Sequence, residues 1–292
     1  VSDAANPGTP TAGPETTGHE WDGIAEYNNP LPRWWLYGLY ATIVWAFGYW
    51  IAYPAWPLVS GYTGGLLGYS QRATVLHEVA AVRRERDARG QAQLASASVG
   101  EIRADPALLR LALATGKAAF GDNCAACHGT SATGRTGYPN LQDDEWLWGG
   151  SPEAIERTIR YGARSGHGEA HVGDMPAFGR DGVLTRGEIE AVASYVLSLS
   201  GKPGVAGAKL DTGAEIFAGN CAACHGASAK GNPEMGAPNL SDAVWLYGSA
   251  PEQVVATVTN GRKGVMPAWE GRLDAATIKA LAVYVHSLGG GR

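Results

Sequence analysis

The chain has 292 residues, of which 45% are hydrophobic and 17% charged, with 28 acidic residues against 23 Lys plus Arg. That length allows roughly two domains with cores of their own. The net charge of −5 leaves no long basic surface for a phosphate backbone, so a nucleic-acid partner is excluded. The charge is unevenly spread: residues 34–71 contain no Asp, Glu, Lys or Arg, whereas residues 1–33 carry several acidic side chains against the single Arg33.

Residues 34–53, WWLYGLYATIVWAFGYWIAY, are uncharged and mostly apolar, about 30 Å of helix and the thickness of a hydrocarbon core. Trp34, Trp35 and Tyr37 crowd one end and Trp50, Tyr53 and Trp56 the other, as interfacial aromatic belts do, and Pro54 and Pro57 stop the helix. A transmembrane helix is therefore expected over 34–59, behind an N-terminal cytoplasmic segment, 1–33. The apolar run follows an acidic stretch and lacks a small-residue cleavage pattern, which disfavours a cleaved signal peptide. Residues 60–107 are expected to form an interfacial segment, with Gly61, Gly64, Gly65 and Gly68, and then a linker helix. That helix has one apolar stripe, Val75, Leu76, Val79 and Val82, ahead of the charged run Arg83–Arg89. It suits a membrane surface, a partner, or a plain charged connector.

The remainder repeats. TGKAAFGDNCAACHG (115–129) corresponds to TGAEIFAGNCAACHG (212–226), PNLQDDEWLWGGSPE (139–153) to PNLSDAVWLYGSAPE (238–252), MPAF (175–178) to MPAW (266–269), and SYVLSL (194–199) to VYVHSL (283–288). The register drifts because the second copy gains residues after its cysteines, while the first holds an insertion before Met175. Each copy reads as a helix leading into C-x-x-C-H, a Gly-rich loop, a helix opened by Ser-Pro or Ala-Pro, a Met-Pro loop and a last helix. Ile189, Val192, Val196 and Leu199 give the first copy's last helix an apolar face; Ile278, Leu281, Ala282, Val285 and Leu288 do so in the second. No strand-period pattern is evident. The expected class is all-α: one N-terminal transmembrane helix followed by two tandem cytochrome c-like domains, 108–203 and 204–292.

All four cysteines fall in the repeated string, Cys124 and Cys127 before His128, Cys221 and Cys224 before His225. C-x-x-C-H is a c-type haem attachment signature: the thiols add to the porphyrin vinyl groups and the next residue's imidazole reaches the iron. A disulfide framework needs no histidine after each pair, and two copies in register weaken a zinc site or a redox dithiol. Two covalently attached haems c are expected, and a flat apolar cofactor also supplements the marginal core of so small a domain. Met175 and Met266, repeat-equivalent and each before Pro, are the candidate sixth ligands, His128 with Met175 and His225 with Met266. A thioether there raises the reduction potential. His167 and His171 remain rivals for the first haem, while Met235, His286, His19 and His77 read as non-ligands. The carbonyls of Pro139 and Pro238 are expected to fix the proximal tautomers, and Arg164 and Arg262 are candidate propionate partners. Haem attachment takes place outside the bacterial inner membrane, whereas Arg33 and Arg72 balance one another at the two ends of the span. The N-terminus is therefore placed inside and the haem domains in the periplasm.

The string HEWDGIAEYNNPLPRWW (19–35), the span ending YPAWP (53–57), and the tandem CAACHG modules with PNL and MPA motifs resemble the dihaem subunit of cbb3-type cytochrome c oxidases over nearly the whole chain. The resemblance implies an inner-membrane anchor and an electron relay within a proton-pumping terminal oxidase. A soluble or membrane-attached cytochrome c gives electrons to the two haems. A monohaem cytochrome c subunit takes them on to a catalytic subunit, whose haems b and copper reduce dioxygen to water. The family's ligands map onto His128, Met175, His225 and Met266, which would leave both haems six-coordinate, so the chain itself performs no bond chemistry. Two other functions fit the same haem motifs: a membrane-anchored dihaem dehydrogenase subunit, and a haem sensor or peroxidase with an open distal site. Copurified copper and haem b separate the first reading from the second, and carbon monoxide binding identifies the third.

Overall fold

The computed structural model describes residues 15–291 and divides into two units, Val1–Ala81 and Val82–Arg292.

In the first unit, strands β1 (Thr16–Trp21) and β2 (Ile24–Tyr27) pair antiparallel across Asp22-Gly23, both at positive φ. That pair of left-handed residues is what a two-residue hairpin turn requires, so the wholly helical expectation is corrected here. Helix α1 (Arg33–Ala52) contains one charged residue, Arg33, and buries none of its side chains. It stops where Pro54 removes the next donor, short of the expected 34–59. Judged by mean hydropathy, no helix among the described residues is long and apolar enough to cross a membrane. Two-residue strands β3 (Pro57–Leu58) and β4 (Gly61–Tyr62) form a second small hairpin. The backbone of Leu66 and Leu67 then donates to the last turn of α1. There Gly65, at φ +68, passes so close that a Cβ would lie 2.5 Å from the Ala52 carbonyl oxygen.

Helix α2 (Gln71–Ala88) leaves Val75, Leu76, Val79 and Val82 exposed. Gly90, at φ +106, ends the run. The second unit continues with α3 (Gln91–Ser96) and α4 (Val99–Ala104), whose start is fixed by a reciprocal Ser98–Glu101 capping box. These two helices are no connector. Leu94, Val99 and Ile102 are buried with Ala112, Ala276, Ala280 and Val283 in one apolar cluster. The Lys279 ammonium also donates to the carbonyls of Ala95 and Ala97.

The repeats follow as α5 (Pro106–Asn123), α6 (Ala125–His128), α7 (Pro152–Tyr161) and α8 (Arg186–Leu199), then α9 (Leu210–Asn220), α10 (Ala222–His225), α11 (Pro251–Asn260) and α12 (Ala275–Ser287). Their packing exchanges partners. Helix α12, the end of the second repeat, lies on α5, the start of the first, and α8 lies on α9. Small residues make both crossings close: a Cβ on Gly116 would meet the Ala280 carbonyl at 2.3 Å, and one on Gly213 the Ala191 carbonyl at 2.3 Å. Consequently the expected division between 203 and 204 separates the sequence repeats but not the packed bodies.

Candidate haem-binding sites

Each cysteine motif is a single helical turn set at the end of a longer helix. The Cys124 amide donates to Phe120 and that of His128 to Cys124; Cys221, Phe217 and His225 repeat the pattern. Glycine at the next position, Gly129 or Gly226, takes positive φ and turns the chain away. The His128 Nδ1 lies 3.0 Å from the Pro139 oxygen, and the His225 Nδ1 3.0 Å from the Pro238 oxygen. As expected from the sequence, a carbonyl that can only accept fixes Nδ1 as the donor. Nε2 of each ring is left with its lone pair for a metal. Burial lowers both imidazole pKa values, against the opposing effect of these hydrogen bonds.

No disulfide joins the four cysteines. Burial, reinforced by the neighbouring thiol, pushes Cys124 and Cys221 up to about 11. The partly buried, apolar surroundings of Cys124 and Cys221 suit sulfurs held in neutral thioethers. A second observation bears on the cofactor. The Trp245 Nε1 is buried without a hydrogen-bond partner, in the apolar cluster that includes Cys221, Ala222 and Leu240. An orphaned indole donor at that place fits an anionic edge such as a haem propionate. Its counterpart Trp146 donates instead to the Asp143 carbonyl at 2.9 Å.

The two methionines change places relative to the expected pairing. Met266 packs with Cys124, Ala125, Phe120 and Leu141 around the first cysteine motif. Met175 packs with Cys221, Ala222 and Phe217 around the second. Backbone pairing locks the exchange: Ala163 and Met266 each donate to the other at 3.0 Å, and Met175 and Arg262 do likewise at 2.9 and 3.0 Å. Gly162 and Gly261 make room, since a Cβ on either would lie within 2.4 Å of the methionine carbonyl from the opposite repeat. The packing thus places Met266, not the expected Met175, on the cluster of the His128 motif, and Met175, not Met266, on that of the His225 motif. Repeat similarity identifies equivalent residues but does not say which copy a loop packs against.

The rival histidines are engaged elsewhere. His171 Nε2 lies 3.0 Å from the Thr158 hydroxyl, and its ring stacks on Trp148. His167 Nδ1 accepts from the Glu169 amide, and its Nε2 is 3.2 Å from a Glu270 carboxylate oxygen. Arg164 donates to the carbonyls of Gly173 and Gly264, and Arg262 to the Thr257 hydroxyl, so neither guanidinium is held in reserve for a propionate. Met235 is a half-exposed surface residue.

Two families match by sequence. The first, described as the N-terminal domain of cytochrome oxidase-cbb3, FixP, matches residues 13–60, and the second, cytochrome c oxidase, cbb3-type, subunit III, matches 111–196 and 208–285. The chain is 60% identical to the cbb3-type cytochrome c oxidase subunit FixP of Bradyrhizobium sp. (strain ORS 278), over 96% of this chain and 97% of that relative. It is 52% identical to subunit CcoP of Cereibacter sphaeroides, over 95% and 96% of the two chains. The chain belongs to the cbb3-type cytochrome c oxidase subunit III family. It is thus a cytochrome c electron-transfer subunit of a terminal oxidase, and its cytochrome c domains imply covalently bound haem c.

Proposed function

We propose that the chain is a membrane-anchored relay with two haems c, one bonded to Cys124 and Cys127 between His128 and Met266, the other bonded to Cys221 and Cys224 between His225 and Met175. The observation that carries this reading is that each methionine packs on the same apolar cluster as the opposite repeat's cysteine motif. Bound haem c supplies the one-electron couple. The chain's own residues do the rest: the cysteines hold the group, Pro139 and Pro238 orient the imidazoles, and the Met-Pro loops close the far side. With both axial positions taken, no coordination site is left for a substrate, which favours the relay over a peroxidase or sensor.

Helix α1 is the anchor. Tryptophan and tyrosine lower its mean hydropathy, yet they are the residues that favour the interface, and twenty residues reach about 30 Å. The haem-bearing unit then faces the periplasm. There it accepts electrons from a soluble or membrane-attached cytochrome c and delivers them through a monohaem subunit to a proton-pumping catalytic subunit with haem b and copper.

Haem and iron counts on the purified chain test the centres: two haems c and two irons per chain are expected, and a colourless or zinc-loaded protein refutes the reading. Resistance of the full chain to alkaline extraction from membranes tests the anchor, and release into the wash refutes it.

A further inference from the structure

The motif W-L-x-G places an aromatic ring at repeat-equivalent positions, Trp148 and Tyr247. Neither ring serves the cysteine motif of its own repeat. The Trp148 ring lies against Gly236 and Gly173: a Cβ on Gly236 would come 2.2 Å from its Cζ2, and one on Gly173 3.2 Å from its Cη2. Gly236 stands two residues before Pro238, the acceptor for His225, and Gly173 stands two residues before Met175. Tyr247 does the same on the other side. A Cβ on Gly137, two residues before Pro139, would lie 3.5 Å from its Cε1, and one on Gly264, two residues before Met266, would lie 3.1 Å from its Oη. The Gly137 amide also donates to the Leu246 carbonyl at 2.8 Å.

Each ring thus touches both loops that aim the axial ligands of one centre. Both are further fixed. Trp148 stacks on His171 with centroids 4.3 Å apart, and the Arg164 guanidinium lies 5.7 Å from its ring. The Arg262 guanidinium lies 4.1 Å from the Tyr247 ring. Arg164 itself donates to the carbonyls of Gly173 and Gly264, the equivalent residues of the two methionine loops.

We propose that Trp148 and Tyr247 are positioning residues, each clamping the proximal and distal ligand loops of the haem attached through the other repeat's cysteines. The proposal rests on the exchanged ligation above. A ring wedged between two glycine-bearing loops sets how closely the methionine sulfur and the proximal imidazole approach the iron. Slackening it weakens the thioether bond, which holds the potential high, and admits water. At Gly236 both space and a φ of +65 call for glycine, and at Gly137 a φ of +85 does.

The test uses the full haem-loaded chain, with potentiometric titration and the far-red sulfur-to-iron charge-transfer band as readouts. Met175→His and Met266→His first identify which redox wave belongs to each methionine. Trp148→Ala is expected to shift only the Met175 wave to lower potential and to weaken its band, while Trp148→Phe largely restores both. Gly236→Ala, which forces the ring away, is expected to move the same wave. Tyr247→Ala is expected to move only the Met266 wave. The clamp is overturned if Trp148→Ala and Gly236→Ala move neither wave, move the Met266 wave, or move both waves together as general loosening would. The exchanged ligation is checked separately in a Cys221→Ala, Cys224→Ala chain. Its single remaining wave should respond to Met266→His; a response to Met175→His would refute the exchange and the clamp with it. Should that chain fail to assemble, the two Met→His variants still distinguish the waves, so the aromatic substitutions remain decisive for the clamp.

Discussion

Leu281 gives the sharpest test of the exchanged packing. It sits on α12, in the second sequence repeat, fully buried in the cluster that holds Ala119, Phe120 and Ile155 of the first. Leu281→Ala removes the branched end of the side chain from a site that cannot collapse easily, because α5 and α12 already touch backbone to backbone at Gly116 and Ala280. Buried leucine-to-alanine changes cost about 3–5 kcal/mol where the cavity persists. At the lower end this is roughly a hundredfold in an opening equilibrium. Native-state hydrogen exchange on the haem-loaded chain reads that change element by element. Amides of α5 and α12 should lose about two orders of magnitude of protection, while those of α9 keep theirs. If α12 instead lay on the leading helix of its own repeat, α9 would lose protection and α5 would not. That result would refute the exchange.

Three further outcomes follow from the same geometry. Gly162→Ala places a methyl 2.3 Å from the Met266 carbonyl at a residue with φ +74; a loss of about 1–3 kcal/mol is expected, with a weaker thioether band from the Met266 centre, as thermal melts and optical spectra would record. Glu145 has its carboxyl pKa raised, by burial first and then by the facing Asp242. Its contribution to stability is present at low pH and lost as pH rises through the raised folded value, so Glu145→Gln should raise the melting midpoint at neutral pH and give no gain below the ordinary carboxylate range. Trp245→Phe keeps the apolar packing but removes the orphaned Nε1 donor; potentiometry should show a lower potential for the Met175 centre and an unchanged Met266 centre.

Local chemistry was legible in the sequence because it is local. The C-x-x-C-H turn, the Pro139 and Pro238 acceptors, the Ser-Pro and Ala-Pro starts of α7 and α11, and the apolar faces of α8 and α12 all follow from residues within a few turns of one another. The N-terminal hairpin left a signal too, Asp22-Gly23 flanked by Trp21 and Ile24, but short exposed strands have no buried face to impose alternation. Inclusion of α3 and α4 in the core was harder to read. Leu94, Val99 and Ile102 are isolated apolar residues whose partners lie far off on α12. The exchange was invisible for a different reason. The two repeats present nearly the same surfaces, so α12 is chemically suited to α5 and to α9 alike. The choice rests on the crossed Ala163–Met266 and Arg262–Met175 pairings, each between residues about 90–100 positions apart.

The exchange also bears on how a relay of this kind works. Two cytochrome domains joined by a short linker would ordinarily move against one another, and the separation of their centres would fluctuate. Here both methionine loops are hydrogen-bonded into the opposite repeat through Ala163 and Arg262. Each packed body therefore carries one cysteine motif together with the methionine loop of the other repeat. Electron tunnelling falls off steeply with distance, and the chain crosses between the two bodies twice, after α7 and after α11, which restrains their separation more than a single linker would. In the proposed two-haem chain, a variant that loosens the contact between the bodies should slow inter-haem transfer while both thioether bands persist; loss of both at the same temperature would refute this.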